Sequence, residues 1–111
     1  MDLTFKRRTH EGWTILSVAG ELDLQTSPQL TAAINDALED GPPLLALDLA
    51  AVPFMDSSSL GVVVASLKRV REKGGDLALL AMQPAPCKIM ALTGLDAVLQ
   101  VLETEDQLPH P

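Results

Sequence analysis

Asp56-Ser57-Ser58-Ser59 stands between two segments of different hydrophobic period. Before it, Leu44-Leu45-Ala46-Leu47-Asp48-Leu49 is a run of strand length, apolar on both faces as a central parallel strand would be. After it, Leu60, Val63, Val64, Leu67 and Val70 recur at the three- and four-residue steps of a helix face. The chain must therefore pass from buried strand to amphipathic helix through a short polar connection. Asp and Ser suit that junction, because their oxygens accept hydrogen bonds from the unpaired N–H groups of a helix's first turn. A hydroxyl placed there faces solvent and the positive end of the helix dipole, a site that favours an anion. Serines before a helix ordinarily serve only as caps. Three hydroxyls are more than one cap requires.

The remaining elements follow from the same rules. Leu3-Thr4-Phe5-Lys6-Arg7-Arg8 alternates and reads as a charged edge strand, and Thr9-His10-Glu11-Gly12 supplies turn chemistry. Trp13 to Ala19 is the returning strand, with Trp13, Ile15 and Ser17 on one side and Thr14, Leu16 and Val18 on the other. A loop spans Gly20 to Thr26. Ser27 as cap and Pro28 in the first turn then start a helix whose stripe is Leu30, Ala33, Ile34, Ala37 and Leu38. Asp40-Gly41-Pro42-Pro43 ends it, and Gly74-Gly75 ends the helix that follows the serines. Asp76 to Ala81 is a further strand, and Pro86 to Leu92 a short helix. Leu95 to Leu102 fits a short helix, a short strand, or both in sequence. Residues 103–111 are polar and are expected to fray.

The predicted order is ββαβαβα plus a tail. Parallel units joined by right-handed crossovers place their helices on the same side. The expected fold class is α/β, a single domain over residues 1–111. It is a two-layer fold with a four-stranded mixed sheet, first strand antiparallel, and helices packed mainly on one face.

Composition narrows the function. The formal net charge is -7, which argues against nucleic acid or an anionic membrane as partner. Aromatic residues make up 3%, too few for stacking platforms. No apolar run nears the roughly 20 residues a bilayer span needs, and Met1 to Arg8 lacks a signal-peptide core. Cys87 is alone, so neither an internal disulfide nor a cysteine-based metal site is expected. A cytoplasmic protein without cofactor or metal is the simplest reading.

An enzyme is disfavoured. A serine nucleophile needs a base, and the two histidines are His10, in a hairpin turn, and His110, at the end of the chain. The nucleophile-elbow, P-loop and dinucleotide glycine patterns are absent. Glu21 and Asp23 are too sparse for a metal site. Asp48 lies inside its strand, which speaks against a phosphate-receiving aspartate.

Four segments together resemble the STAS domain family, in particular anti-sigma factor antagonists of the SpoIIAA type. They are Val18-Ala19-Gly20-Glu21-Leu22-Asp23-Leu24, Val52 to Val62 around Asp56-Ser57-Ser58, Gly74-Gly75-Asp76-Leu77, and Leu92-Thr93-Gly94-Leu95. The resemblance covers residues 10–102 in order. It implies an antagonist that binds an anti-sigma serine kinase of the GHKL type while unphosphorylated. Phosphorylation of Ser57 would then release it, and a PP2C-type phosphatase would reverse the step. It also implies a partner surface formed by Gly20, Glu21, Asp23, Asp56, Ser57, Ser58, Ser59, Leu60 and Gly61. The oligomeric expectation is monomer or weak dimer. The alternative implied by the same family is a non-switching scaffold or transporter-associated subunit, in which the serines only cap the helix. Two departures are visible. Ser59 replaces the family's usual glycine, where it could alter partner approach or act as a decoy hydroxyl. The family's last helix is expected to be truncated or missing.

Overall fold

The computed structural model describes residues 2–111. Strands β1 (Thr4–His10) and β2 (Trp13–Ala19) form the antiparallel hairpin. Helix α1 (Ser27–Asp40), strand β3 (Leu44–Ala51), helix α2 (Ser57–Glu72), strand β4 (Asp76–Leu80) and helix α3 (Pro84–Thr93) follow. A 3-10 turn at Leu95–Ala97 then leads into strand β5 (Gln100–Leu102), and a second 3-10 turn covers Glu105–Gln107. The sheet order is β1-β2-β3-β4-β5, and every pairing after the first is parallel.

The two-residue period of a strand sorts the side chains onto two faces. Leu16, Val18, Leu45, Leu47, Leu49, Leu77 and Leu79 face the helices. There they meet Leu30, Ile34 and Leu38 of α1, Leu60, Val63, Leu67 and Val70 of α2, and Met90 of α3. Burying each such side chain is worth about 1.5–3 kcal/mol, so this aliphatic layer holds both long helices to the sheet. The opposite face carries a smaller cluster of Trp13, Ile15, Ala46, Ala78 and Leu80. The expected mixed sheet with helices on one face is therefore present.

Gly75 shows how closely the strands are joined. A Cβ there would stand 1.8 Å from the Pro43 carbonyl oxygen. Only glycine lets Asp76 N–H donate to that same oxygen, at 3.1 Å, and so start β4 beside β3.

Three expectations need correction. The sheet has five strands, not four: Gln100, Val101 and Leu102 pair with Ala78, Leu79 and Leu80. Leu95 to Leu102 is thus a turn of helix followed by a strand, each too short for a period to be read. Residues 103–111 do not fray but fold back over the second face. Leu108 is buried there, and the Trp13 indole N–H donates to the Pro109 carbonyl at 2.8 Å. Finally, α1 begins one residue earlier than expected, with Thr26 rather than Ser27 in the cap position.

Candidate functional site

The C-terminal ends of β2 and β3 lie together because the two strands are parallel. The connections leaving them run side by side. Gly20 N–H donates to Ala51 O at 3.1 Å, Leu22 N–H to Phe54 O at 3.0 Å, and Asp56 N–H to Leu22 O at 3.0 Å. Gly20 has φ +125°, a backbone conformation that a Cβ strains, and a Cβ there would press to 3.0 Å from Leu3. The loop is fastened internally as well. Asp23 Oδ1 accepts the Thr26 N–H at 3.0 Å, and the Thr26 hydroxyl donates to Glu21 O at 2.8 Å. Glu21 stays exposed.

This stitching fixes where α2 starts. Asp56 is its N-cap, with extended backbone and a carboxylate turned onto the first turn. One oxygen, Oδ1, accepts the Ser58 N–H at 3.0 Å, the Ser59 N–H at 3.2 Å and the Ser58 hydroxyl at 2.5 Å. The Ser58 hydroxyl bond, with the Ser59, Ser58 and Leu24 backbone N–H groups, holds the Asp56 carboxyl below the ordinary carboxylate range against the opposing effect of burial. The carboxylate is thus part of the helix start.

The three serines have three different surroundings. Ser57, the first residue of α2, is exposed, and the hydrogen bonds that engage its neighbours do not include its hydroxyl. Ser58 is half-buried: its hydroxyl is committed to Asp56 and lies 3.1 Å from the Ser27 hydroxyl. Ser59 is wholly buried, with Oγ 3.3 Å from Ser27 Oγ. Ser27 in turn donates to Asp23 O at 2.7 Å, so the starts of α1 and α2 are joined through hydroxyls.

Two of the expected partner contacts turn inward. Ser59 is 0% exposed and Leu60 6%, because both lie on the core side of α2. Their side chains serve the fold, and Ser59 offers no decoy hydroxyl to a partner. Gly20, Glu21, Asp23, Asp56, Ser57, Ser58 and Gly61 are brought to one end of the molecule. Gly61 lies one turn after Ser57 on the same helix side, and a Cβ added there would meet nothing within 4 Å.

The partner surface expected from the sequence did not include Leu24, Phe54 or Ser27. Leu24 is 74% exposed and Phe54 45%, and they sit on the two connections beside Asp56. An apolar residue at a loop crest was the available signal, but a buried loop would read the same way. Ser27 gave no signal beyond that of a cap.

The chemistry open to Ser57 is limited. Asp56 is committed to the helix start, and His10 pairs with Trp13 at the opposite end of the sheet, so neither activates the hydroxyl. Among the described residues no three His, Cys, Asp or Glu side chains stand close enough to hold a metal ion. Among the described residues no helix is long and apolar enough to cross a membrane. What remains is a fixed, solvent-facing hydroxyl at a helix N-terminus.

The anti-sigma-B factor antagonist of Staphylococcus epidermidis is 30% identical over 103 residues, covering 93% of this chain and 95% of that one. The crystal structure of an anti-sigma factor antagonist from Mycobacterium paratuberculosis superposes with a TM-score of 0.83 at 35% identity, covering 94% of this chain and 88% of the other. The anti-sigma factor antagonist SpoIIAA in its unphosphorylated form has the same fold, with a TM-score of 0.76 at 24% identity over 94% of this chain and 91% of that one. The STAS domain matches residues 4–108, which take in every strand, every helix and the serine cluster, and the chain belongs to that family.

Proposed function

We propose that this protein is an anti-sigma factor antagonist switched by phosphorylation of Ser57. Unmodified, it binds an anti-sigma serine kinase of the GHKL type and so frees a sigma factor. The kinase transfers the γ-phosphoryl of ATP to Ser57 Oγ: the new O–P bond replaces the bond to ADP, and the hydroxyl proton passes to a base on the kinase. A PP2C-type phosphatase restores the hydroxyl. One observation carries the choice of acceptor. Of three consecutive serines, only Ser57 is both exposed and free of the Asp56 and Ser27 network.

The surroundings also favour an interface effect over refolding. Phosphate adds a charge of about -1.5 to -2 at neutral pH. At a helix N-terminus such a charge stabilises by about 0.3–1 kcal/mol. Here Asp56 already takes the Ser58 and Ser59 N–H groups, so the phosphate gains little from the backbone and stays turned outward. Docking would bury it beside exposed Leu24 and Phe54, where it desolvates badly. Partner affinity should fall 10- to 1,000-fold, about 1.4–4 kcal/mol. The test compares phosphorylated and unmodified chain by circular dichroism and by titration with the cognate kinase. Lower affinity with an unchanged spectrum is expected, and joint loss of fold and affinity would defeat the interface account.

A further inference from the structure

Ser58 is a second serine open to approach. It is half-buried and, with Gly61 and Ala65, lines an open groove of about 390 Å³ between α1 and α2. Burial alone therefore does not separate it from Ser57. The hydrogen bonds do.

Each serine hydroxyl has one proton to give. That of Ser58 faces Asp56 Oδ1 at 2.5 Å, a carboxylate oxygen that only accepts. Ser27 Oγ stands 3.1 Å from the same hydroxyl. Ser27 is itself held: it donates to Asp23 O at 2.7 Å, and the wholly buried Ser59 Oγ lies 3.3 Å away. With the Ser27 proton on Asp23, the Ser59 proton goes to Ser27 and the Ser58 proton to Asp56. All three protons have an acceptor, and Ser58 Oγ is contacted from the starts of both long helices.

A phosphoryl acceptor needs the reverse. Its oxygen must turn a lone pair in line with the leaving group, and its proton must be free for a base on the kinase. Ser58 would first have to break its bond to Asp56, which is charge-assisted and so among the stronger kinds. Asp56 is a poor base for it. The Ser58 hydroxyl, with the Ser59 and Ser58 N–H groups, holds that carboxyl below the ordinary range.

We propose that Asp56 and Ser27 are positioning residues that select the phosphate acceptor: together they withhold the Ser58 hydroxyl and leave the transfer to Ser57. This selection presupposes Ser57 as the acceptor, and it is set partly from α1, by a side chain distant in sequence. Once released, Ser58 Oγ takes the γ-phosphoryl itself. Its O–P bond forms, the bond to ADP breaks, and its proton passes to the kinase base.

The test releases the hydroxyl in the full chain by two routes. Asp56→Asn keeps a good N-cap but removes the charge. Ser27→Ala with Ser59→Ala removes the second contact without stranding a buried hydroxyl. Each is made with Ser57 present and with Ser57→Ala, and folding is checked by circular dichroism. The chains are incubated with ATP and the cognate kinase, and phosphate on each serine is quantified by peptide mass spectrometry. Ser57→Ala with the contacts intact should stay unmodified. The released Ser57→Ala chains should gain phosphate on Ser58, about ten-fold or more above that background, the worth of a hydrogen bond to a charged group. Where Ser57 is present, release should raise the ratio of Ser58 to Ser57 phosphate, which a general loss of kinase contact would leave unchanged. Folded released chains without phosphate on Ser58 overturn the proposal, while phosphate on Ser57 in the wild type keeps the acceptor reading intact. Unfolding of both released chains also overturns it, since the contacts would then serve the fold. Phosphate on Ser58 in the wild type overturns both.

Discussion

Both long helices begin with a serine, and the two starts differ in what surrounds it. Ser27 at the start of α1 is 8% exposed, donates to Asp23 O, and lies against Ser58 and Ser59. Ser57 at the start of α2 is exposed and outside that network. The backbone dipole is comparable at the two sites. The cap is not: the cap residue of α1 is Thr26, whose side chain folds the loop and caps nothing, whereas Asp56 satisfies two N–H groups of α2 itself. A residue that already has its cap leaves the next hydroxyl without a structural duty. Chemistry at a helix start therefore depends on the neighbours more than on the helix.

The contrast is broken most forcefully inside α2. Ser59→Leu must fit extra methylene groups into a fully buried site against Ser27 and should destabilise by about 1–3 kcal/mol. Ser57→Leu, two residues earlier, should stay within about 0.5 kcal/mol of wild type. Equal losses in urea denaturation would mean that the two positions are not the inside and outside of one helix.

Asp56→Ala should cost about 0.5–2 kcal/mol, the usual value of a lost cap. The pH dependence has a definite sign. The Asp56 carboxyl is held below its ordinary range in the folded state, so its stabilisation is fully present above the unfolded-chain value. It is lost as pH falls through the folded-state value. The gap between wild type and Asp56→Ala should be constant near neutrality and narrow only in strong acid. A gap that closed already between neutrality and the ordinary carboxylate range would assign the effect to another group.

Gly61→Ala is the smallest effect and has the opposite sign. The added methyl meets nothing, so the free protein should gain about 0.5–1 kcal/mol from helix propensity. If partners approach Ser57 along that side, kinase affinity should fall while the melting temperature rises. A rise in both would remove Gly61 from the contact surface.

Much of this was legible in the residues. The alternation of Trp13, Ile15 and Ser17 against Thr14, Leu16 and Val18 assigned both sheet faces, because a two-residue period needs few residues to declare itself. The inward turn of Ser59 was also legible: Ser59, Val63, Ser66 and Val70 follow the helical step and are all buried. Its residue type, not its position, suggested a surface role. The fold-back of residues 103–111 was not legible. It depends on Leu108, a single apolar residue, and on a bond between Trp13 and Pro109, 96 residues apart, which no local pattern encodes. β5 was left as one of several alternatives for a related reason, since three residues carry no measurable period.

The most direct measurement is the site of phosphate transfer. Wild type, Ser57→Ala, Ser58→Ala and Ser59→Ala chains are incubated with ATP and the cognate anti-sigma kinase, and the products are mapped by peptide mass spectrometry. The account predicts one phosphate on Ser57 in every chain that retains that residue, and none in Ser57→Ala. Phosphate on Ser58 in the wild type, or undiminished transfer to Ser57→Ala, would contradict it.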